Sequence, residues 1–140
     1  MEYEILKLEN QLCFPLYAAS KEVVKRYGPY LDEIGLTYTQ YITMMVLWEH
    51  RAVNVKTLGN FLHLDSGTLT PLLKKLEAKG YLTRKRSATD ERKLEVRITE
   101  SGEALKERAQ TIPTRLASCL NLSSEEAVTL YRLLYKMLEA

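Results

Sequence analysis

DSGTLTPLLKKLEAKGYLTRKRSATDERKLEVRI, residues 65–98, carries an amphipathic helix straight into a basic two-stranded ribbon. Leu69, Leu72, Leu73 and Leu76 fall at i, i+3, i+4 and i+7, which gathers four leucines on one helical face. The other side holds Gly67, Thr70, Pro71, Lys74 and Ala78, with Ser66 and Thr68 in the first turn and Lys75 alongside. Small residues, hydroxyls and cations on an exposed face suit close approach to a DNA major groove. Asp65 is placed to cap the helix and Gly80 to stop it. Pro71 forfeits only a bond to the Gly67 carbonyl, inside the first turns. By itself this helix fits an ordinary surface helix as well as a reading helix.

The ribbon separates the two. Leu94, Val96 and Ile98 alternate with Glu95 and Arg97 as in a half-buried strand, and Leu82 to Arg86 is long enough to pair with it. Ser87 to Lys93 is too long for a two-residue turn, so the hairpin should project as a wing with Arg92 near its tip. From Lys74 to Arg97 nine basic residues face four acidic ones, an excess of +5 in a chain of net charge +2. Such a local excess is a footprint for phosphate, with steep salt dependence from counterion release. The predicted DNA-contacting set is Ser66, Gly67, Thr68, Thr70, Pro71, Lys74, Lys75, Arg84, Arg86, Asp90, Arg92 and Lys93.

With 140 residues, 46% of them hydrophobic, the chain suits one domain with a real core. No stretch approaches a membrane span, and the MEYE start is acidic where a secretory signal is basic, so a cytoplasmic protein is expected. Two cysteines in a reducing compartment are not a structural staple. His50 and His63 are too few and too dispersed for a metal site, and no phosphate-binding glycine loop, nucleophile and base set or cofactor motif is present. A non-enzymatic protein is expected. His50 is read as satisfying a helix C-terminus.

The order of elements is mainly α with a small β-wing. A helical region is expected from Ile5 to Tyr30, interrupted by Pro15 and closed at Gly28 and Pro29. Thr37 and Gln40 make a capping box for a helix over Thr39–His50, with an apolar face of Ile42, Met45, Val46 and Trp48. Val53–Val55 reads as a third strand beside the hairpin and Lys56–His63 as a short helix. After the wing, one long helix is predicted over Thr99–Leu120, bent at Pro113, and a last one from Ser123, boxed by Glu126. The expected architecture is a winged helix-turn-helix lobe at 37–98 with dimerisation helices at 1–36 and 99–140.

Those outer helices are too apolar for a monomer. Leu105, Ala109, Ile112, Leu116 and Cys119 form one stripe, and Ala127, Leu130, Leu134 and Leu138 with Tyr131 and Tyr135 form another. An isologous homodimer is the natural burial solution, and it would present two recognition helices to a pseudo-palindromic operator.

DSGTLTPLLKKLEAKGYLTRKRSATDERKLEVRITESG resembles the MarR family of dimeric winged-helix transcription regulators, in which the wing's Asp-x-Arg, here Asp90 and Arg92, recurs. The N-terminal NQLCFPLYAASKEVVKRY is similar to the organic-hydroperoxide-sensing branch of that family, OhrR, with its SarZ and MgrA-type relatives. The likeness spans nearly the whole chain and includes Cys13, Tyr27 and Tyr38. It implies a reduced dimer that represses, a hydroperoxide that oxidises Cys13, and release from DNA. It further implies Arg92 in the minor groove, and Tyr27 and Tyr38 hydrogen-bonded to the sulfur of the other subunit.

The residues themselves bear on this site. Cys13 falls early in the first long helix, where the positive end of the dipole favours an anion. Tyr27 follows fourteen residues later, about 21 Å along a continuous axis, out of reach of its own Cys13. A partner whose first helix runs antiparallel across a two-fold axis could supply the sulfur instead. The plainer alternative makes Cys13 a small core hydrophobe and the tyrosines interface aromatics. Phe14, Tyr17, Met44, Met45 and Trp48 are candidate walls of an apolar pocket around the thiol, or simply core. Cys119 has two readings: a buried member of its stripe, or a resolving thiol that condenses with a sulfenic acid on Cys13 of the partner subunit, the layout some members of the branch resemble. Without a resolving thiol, a small cellular thiol would form the mixed disulfide. Two other functions fit less well: a repressor of the same family gated by a small aromatic ligand, and a thiol peroxidase using Cys13.

Overall fold

A computed structural model describes residues 3–86 and 93–139. After two short 3-10 turns the described chain runs α1 (Cys13–Asp32), α2 (Tyr38–His50), β1 (Ala52–Asn54), α3 (Val55–Leu62), α4 (Ser66–Ala78), β2 (Leu82–Arg86), β3 (Leu94–Ile98), α5 (Glu100–Ala109), α6 (Ile112–Ala117) and α7 (Ser124–Leu138). The antiparallel sheet has the order β1-β3-β2, with Val53 opposite Val96 and Arg84 opposite Val96 on the other side. This is the winged helix expected from residues 65–98. Leu69, Leu72, Leu73 and Leu76 are all buried, and the Asp65 carboxylate accepts the Thr68 N–H at 2.8 Å to start α4. Both capping boxes, Thr37 with Gln40 and Ser123 with Glu126, are present. Each satisfies two backbone donors that a helix start would otherwise leave open.

The first helix differs from expectation at both ends. Residues 4–10 form 3-10 turns, and Pro15 sits in the first turn of α1, where its missing N–H is no loss. Gly28 and Pro29 do not close the helix, which continues to Asp32. The stop is Gly35, at φ +68°: its N–H bonds to the Asp32 carbonyl at 3.2 Å and the Leu36 N–H to the Leu31 carbonyl at 3.1 Å. Leu31 and Leu36 are both buried, the hydrophobic contact that completes this kind of helix end. The α2 face is also rotated from the one expected. Tyr41, Met44 and Leu47 are buried with Gln40 and Thr43, whereas Met45 is exposed and Ile42, Val46 and Trp48 are half-buried.

The long helix predicted over Thr99–Leu120 is two helices. Pro113 cannot bond to the Ala109 carbonyl and its ring displaces that group, so α5 ends at Ala109 and α6 restarts at Ile112. Leu105, Ala109, Ile112 and Leu116 are buried in the protomer's own core, so that apolar stripe is not left over for a partner. Cys119 lies beyond α6 and is exposed, which corrects its placement in the buried stripe. No residue of α7 is buried: Val128 is 67% and Tyr131 65% exposed. Among the described residues no helix is long and apolar enough to cross a membrane.

Candidate functional site

Ser66, Gly67, Thr68, Thr70, Pro71, Lys74 and Lys75 share the exposed side of α4, opposite its leucines. α3 supports this helix at close range. A Cβ on Gly59 would lie 2.8 Å from the Leu64 carbonyl oxygen and 3.2 Å from a Leu69 methyl, so the helix-turn-helix needs glycine there. Thr70 donates its hydroxyl hydrogen to the Ser66 carbonyl at 2.9 Å, leaving only acceptor capacity outward. Arg86, at the end of β2, and Lys93 are exposed at the foot of the wing. Asp90 and Arg92 lie outside the described residues, as does the rest of the wing tip, Ser87 to Glu91.

Arg84 is a correction to the predicted contact set. Its guanidinium gives Nε and Nη2 to one Glu77 oxygen at 3.2 and 2.9 Å, and its backbone N–H reaches the other at 2.9 Å. It therefore fastens β2 to the recognition helix instead of facing outward. Arg84, through its side chain first and its backbone second, holds the Glu77 carboxyl below the usual carboxylate range. The depressed value means that this contact stabilises the fold above the unfolded carboxylate pKa of about 4.3, and is lost as pH falls through the folded value. Glu77→Gln should accordingly flatten the acid limb of stability against pH. Urea midpoints measured from neutral pH to about pH 3 would check this; an acid limb identical to the wild type's would mean that the contact contributes nothing.

The two thiols lie at opposite ends of α1, Cys13 within it and Cys119, from beyond α6, packed against its far end. Cys13 opens α1 on its exposed side. Tyr27, near the other end, packs its ring 4.8 Å from Tyr38 and 5.7 Å from Tyr41. Burial, then Tyr38 and Tyr41, pushes the Tyr27 hydroxyl up to about 12, and burial followed by Tyr135 raises Tyr38. Both phenols stay protonated at physiological pH and remain hydrogen-bond donors. Cys119 folds back on the same end of α1: its Sγ lies 3.3 Å from the Tyr30 hydroxyl and 3.9 Å from that of Ser118, while Arg26 holds its carbonyl. Tyr30 and Ser118 hydrogen bonds, with the Arg26 charge behind them, hold the Cys119 thiol below the ordinary cysteine range.

The candidate pocket residues are not brought together within one protomer. Met44 is fully buried and Trp48 donates its indole N–H to the Gly102 carbonyl at 2.8 Å, whereas Phe14, Tyr17 and Met45 are exposed. His50, the last residue of α2 and the basic group of its final turn, stacks on Phe61 with centroids 5.0 Å apart and lies 3.7 Å from the Glu49 carboxylate. Tyr30, Arg26, Arg115 and Glu33 escaped the sequence reading. Tyr30 follows Tyr27 by three residues and so shares its face of α1, but no local pattern links it to a cysteine 89 residues on.

Residues 25–109 match the family model described as transcriptional regulator SarA/Rot. The chain is 48% identical over 138 residues to the organic hydroperoxide resistance transcriptional regulator of Bacillus subtilis, covering 99% of this chain and 94% of that one. Among solved structures, reduced AbfR bound to DNA superposes with a TM-score of 0.80 at 34% identity, over 99% of this chain and 97% of that one. AbfR, from Staphylococcus epidermidis, is also known overoxidised on DNA and in a disulfide form. A cysteine-to-serine mutant of MarR from E. coli, complexed with operator DNA, superposes at 0.83 with 26% identity, over 91% of this chain and 93% of that one. With its wing, its recognition helix and a relative this similar over its full length, the chain belongs to the MarR family of winged-helix transcription regulators, in the organic-hydroperoxide-resistance branch.

Proposed function

We propose that the protein is a homodimeric, redox-sensing DNA-binding regulator that leaves its operator when an organic hydroperoxide oxidises Cys13 and the sulfur is captured by Cys119 of the partner subunit. The observation that carries this is the unbroken course of α1. Cys119 is fixed against Tyr30, and Cys13 lies seventeen residues up the same helix, about 26 Å away at 1.5 Å per residue. A disulfide needs Cα atoms within about 7 Å, so the two cysteines of one chain cannot join in this fold. A partner whose α1 runs antiparallel would carry its own Cys13 toward the end where Tyr27, Tyr38 and Cys119 cluster. The exposed apolar residues of early α1, Phe14, Leu16 and Tyr17, and those of α7 supply surface for such a partner.

The chemistry balances without a cofactor. The Cys13 thiol attacks the peroxide O–O bond, becomes a sulfenic acid by a two-electron oxidation, and releases an alcohol. The Cys119 sulfur of the partner subunit then attacks that sulfur; the S–S bond forms, the S–O bond breaks, and the departing hydroxide takes up the thiol proton as water. Reduced and overoxidised AbfR are both known on DNA, which supports assigning release to the disulfide, since a disulfide between subunits shifts the two recognition helices relative to each other. In DNA binding, α4 enters the major groove and Arg92 of the wing the minor groove.

Titrating the protein onto the DNA upstream of its own gene, reduced and after one equivalent of cumene hydroperoxide, tests the proposal. Oxidation should weaken binding by about 5- to 150-fold, the usual span of coupling between two sites, and non-reducing electrophoresis should show a linked dimer. Equal affinity in both states would overturn it. A small-thiol adduct without a linked dimer would reassign the capture step to a cellular thiol.

A further inference from the structure

We propose that Tyr30 is a positioning residue for disulfide formation, fixing the Cys119 sulfur at the edge of a surface groove for attack on oxidised Cys13 of the partner subunit. This rests on the reading of Cys119 as the resolving thiol.

Tyr30 is itself held in place. The Arg115 guanidinium lies 4.5 Å from its ring centroid, a cation–π contact, and Arg115 is anchored by two hydrogen bonds to Glu33 at 2.9 and 3.2 Å. The Tyr30 hydroxyl is thus presented to Cys119 by a chain of contacts from α6 through the α1–α2 turn. On the other side the Cys119 N–H bonds to the Leu116 carbonyl at 2.8 Å and Arg26 grips the Cys119 carbonyl, so its backbone is fixed as well. The sulfur opens on a groove of about 550 Å³ lined by Glu22, Lys25, Arg26, Pro29, Tyr30 and Cys119.

The charges around the sulfur favour an anion. Arg26, Lys25 and Arg115 are the cations and Glu22 and Glu33 the acids, paired with Arg26 at 3.5 Å and with Arg115, so a net excess of one positive charge remains. A phenol that donates to sulfur stabilises the thiolate over the thiol, and the thiolate is the attacking species. The Tyr30 hydroxyl is correspondingly harder to ionise, first because it is bonded to Cys119. In the disulfide step the Cys119 thiolate supplies the electron pair of the new S–S bond and hydroxide leaves Cys13 of the partner subunit. Placement of the thiolate and its population at neutral pH both set the rate.

Tyr30→Phe removes the hydroxyl and keeps the ring under Arg115. In a Cys13→Ser background, the pH midpoint for alkylation of Cys119 by iodoacetamide should move upward with Tyr30→Phe, and by less with Ser118→Ala. With Cys13 present, Tyr30→Phe should slow linked-dimer formation after one equivalent of cumene hydroperoxide by about tenfold at neutral pH, while the sulfenic acid on Cys13, trapped with dimedone, forms as fast as before. DNA binding by the reduced variant, unchanged, reports an intact fold. An unmoved alkylation midpoint or an unmoved linking rate overturns the role of Tyr30 alone. Absence of a linked dimer in the protein that retains Tyr30 overturns the resolving reading, and this proposal with it.

Discussion

Cys13→Ser is expected to stay on its operator at hydroperoxide doses that release the unmodified protein, reducing an oxidised-to-reduced ratio of about 5- to 150-fold to about 1. Serine keeps the size and a hydroxyl donor at the first turn of α1 but forms neither a sulfenic acid nor a disulfide. Because Cys13 lies outside the core of its own protomer and serine can take its place against the partner with a hydroxyl of similar size, the change should leave folding and reduced-state affinity as they were. The measurement is a DNA titration before and after cumene hydroperoxide, in parallel with the unmodified protein. If the serine variant is still released, the sensor lies elsewhere, and Cys119, exposed and already polarised by Tyr30, becomes the first candidate.

Among the glycines, Gly102 is the one at which a methyl group should do the most damage, so Gly102→Ala should strongly destabilise the fold. A Cβ there would lie 2.2 Å from the Tyr81 carbonyl oxygen, 2.8 Å from Ile98 Cγ1 and 3.1 Å from Met44 Cε. The nearest obstacle is backbone, so relief requires α5 to move away from the end of α4 and the root of the wing. Overpacking that a side chain cannot relieve falls at the upper end of its usual range, about 3 kcal/mol. Gly102 also accepts the Trp48 indole N–H at 2.8 Å, which joins α2 to α5. Trp48 is the only tryptophan, so its fluorescence reports that contact directly. Thermal unfolding followed by fluorescence at fixed protein concentration should show a melting temperature lower by about 10 °C. An unchanged emission spectrum together with a shift of less than about 2 °C would mean that α5 tolerates the displacement.

Much of the DNA-facing half was legible because its signals are short-range. Four leucines at helical spacing, an aspartate cap, the Thr37–Gln40 capping box and strand alternation around Val96 are each read within a dozen residues. The structure adds to these what depends on distant neighbours. Arg84 belonged by charge to the DNA-contacting set, but Glu77 on α4 is the group it meets. Pro29 had the marks of a helix end, yet the stop falls at Gly35, where a left-handed residue and the buried pair Leu31 and Leu36 close the helix together. Pro113, equally visible in sequence, does break its helix, because Ala109 must stay in the core while the chain turns onto α1.

The thiol site divides in the same way. The spacing of Cys13 and Tyr27 along the chain already put them out of each other's reach within one subunit, since helix rise converts fourteen residues into a fixed length. Whether that length was real depended on α1 remaining unbroken from Pro15 to Tyr27, and that is a tertiary outcome. The place of Cys119 could not be read from its stripe, because helical periodicity applies only while the helix lasts and α6 ends two residues earlier. Sequence alone therefore determined the winged-helix lobe, written in local spacing, and singled out Cys13 as the candidate sensor through the stretch around it. Tertiary packing decided that Cys119 is exposed, that Tyr30 holds it, and that its sulfur lies most of a helix length from the Cys13 of its own chain.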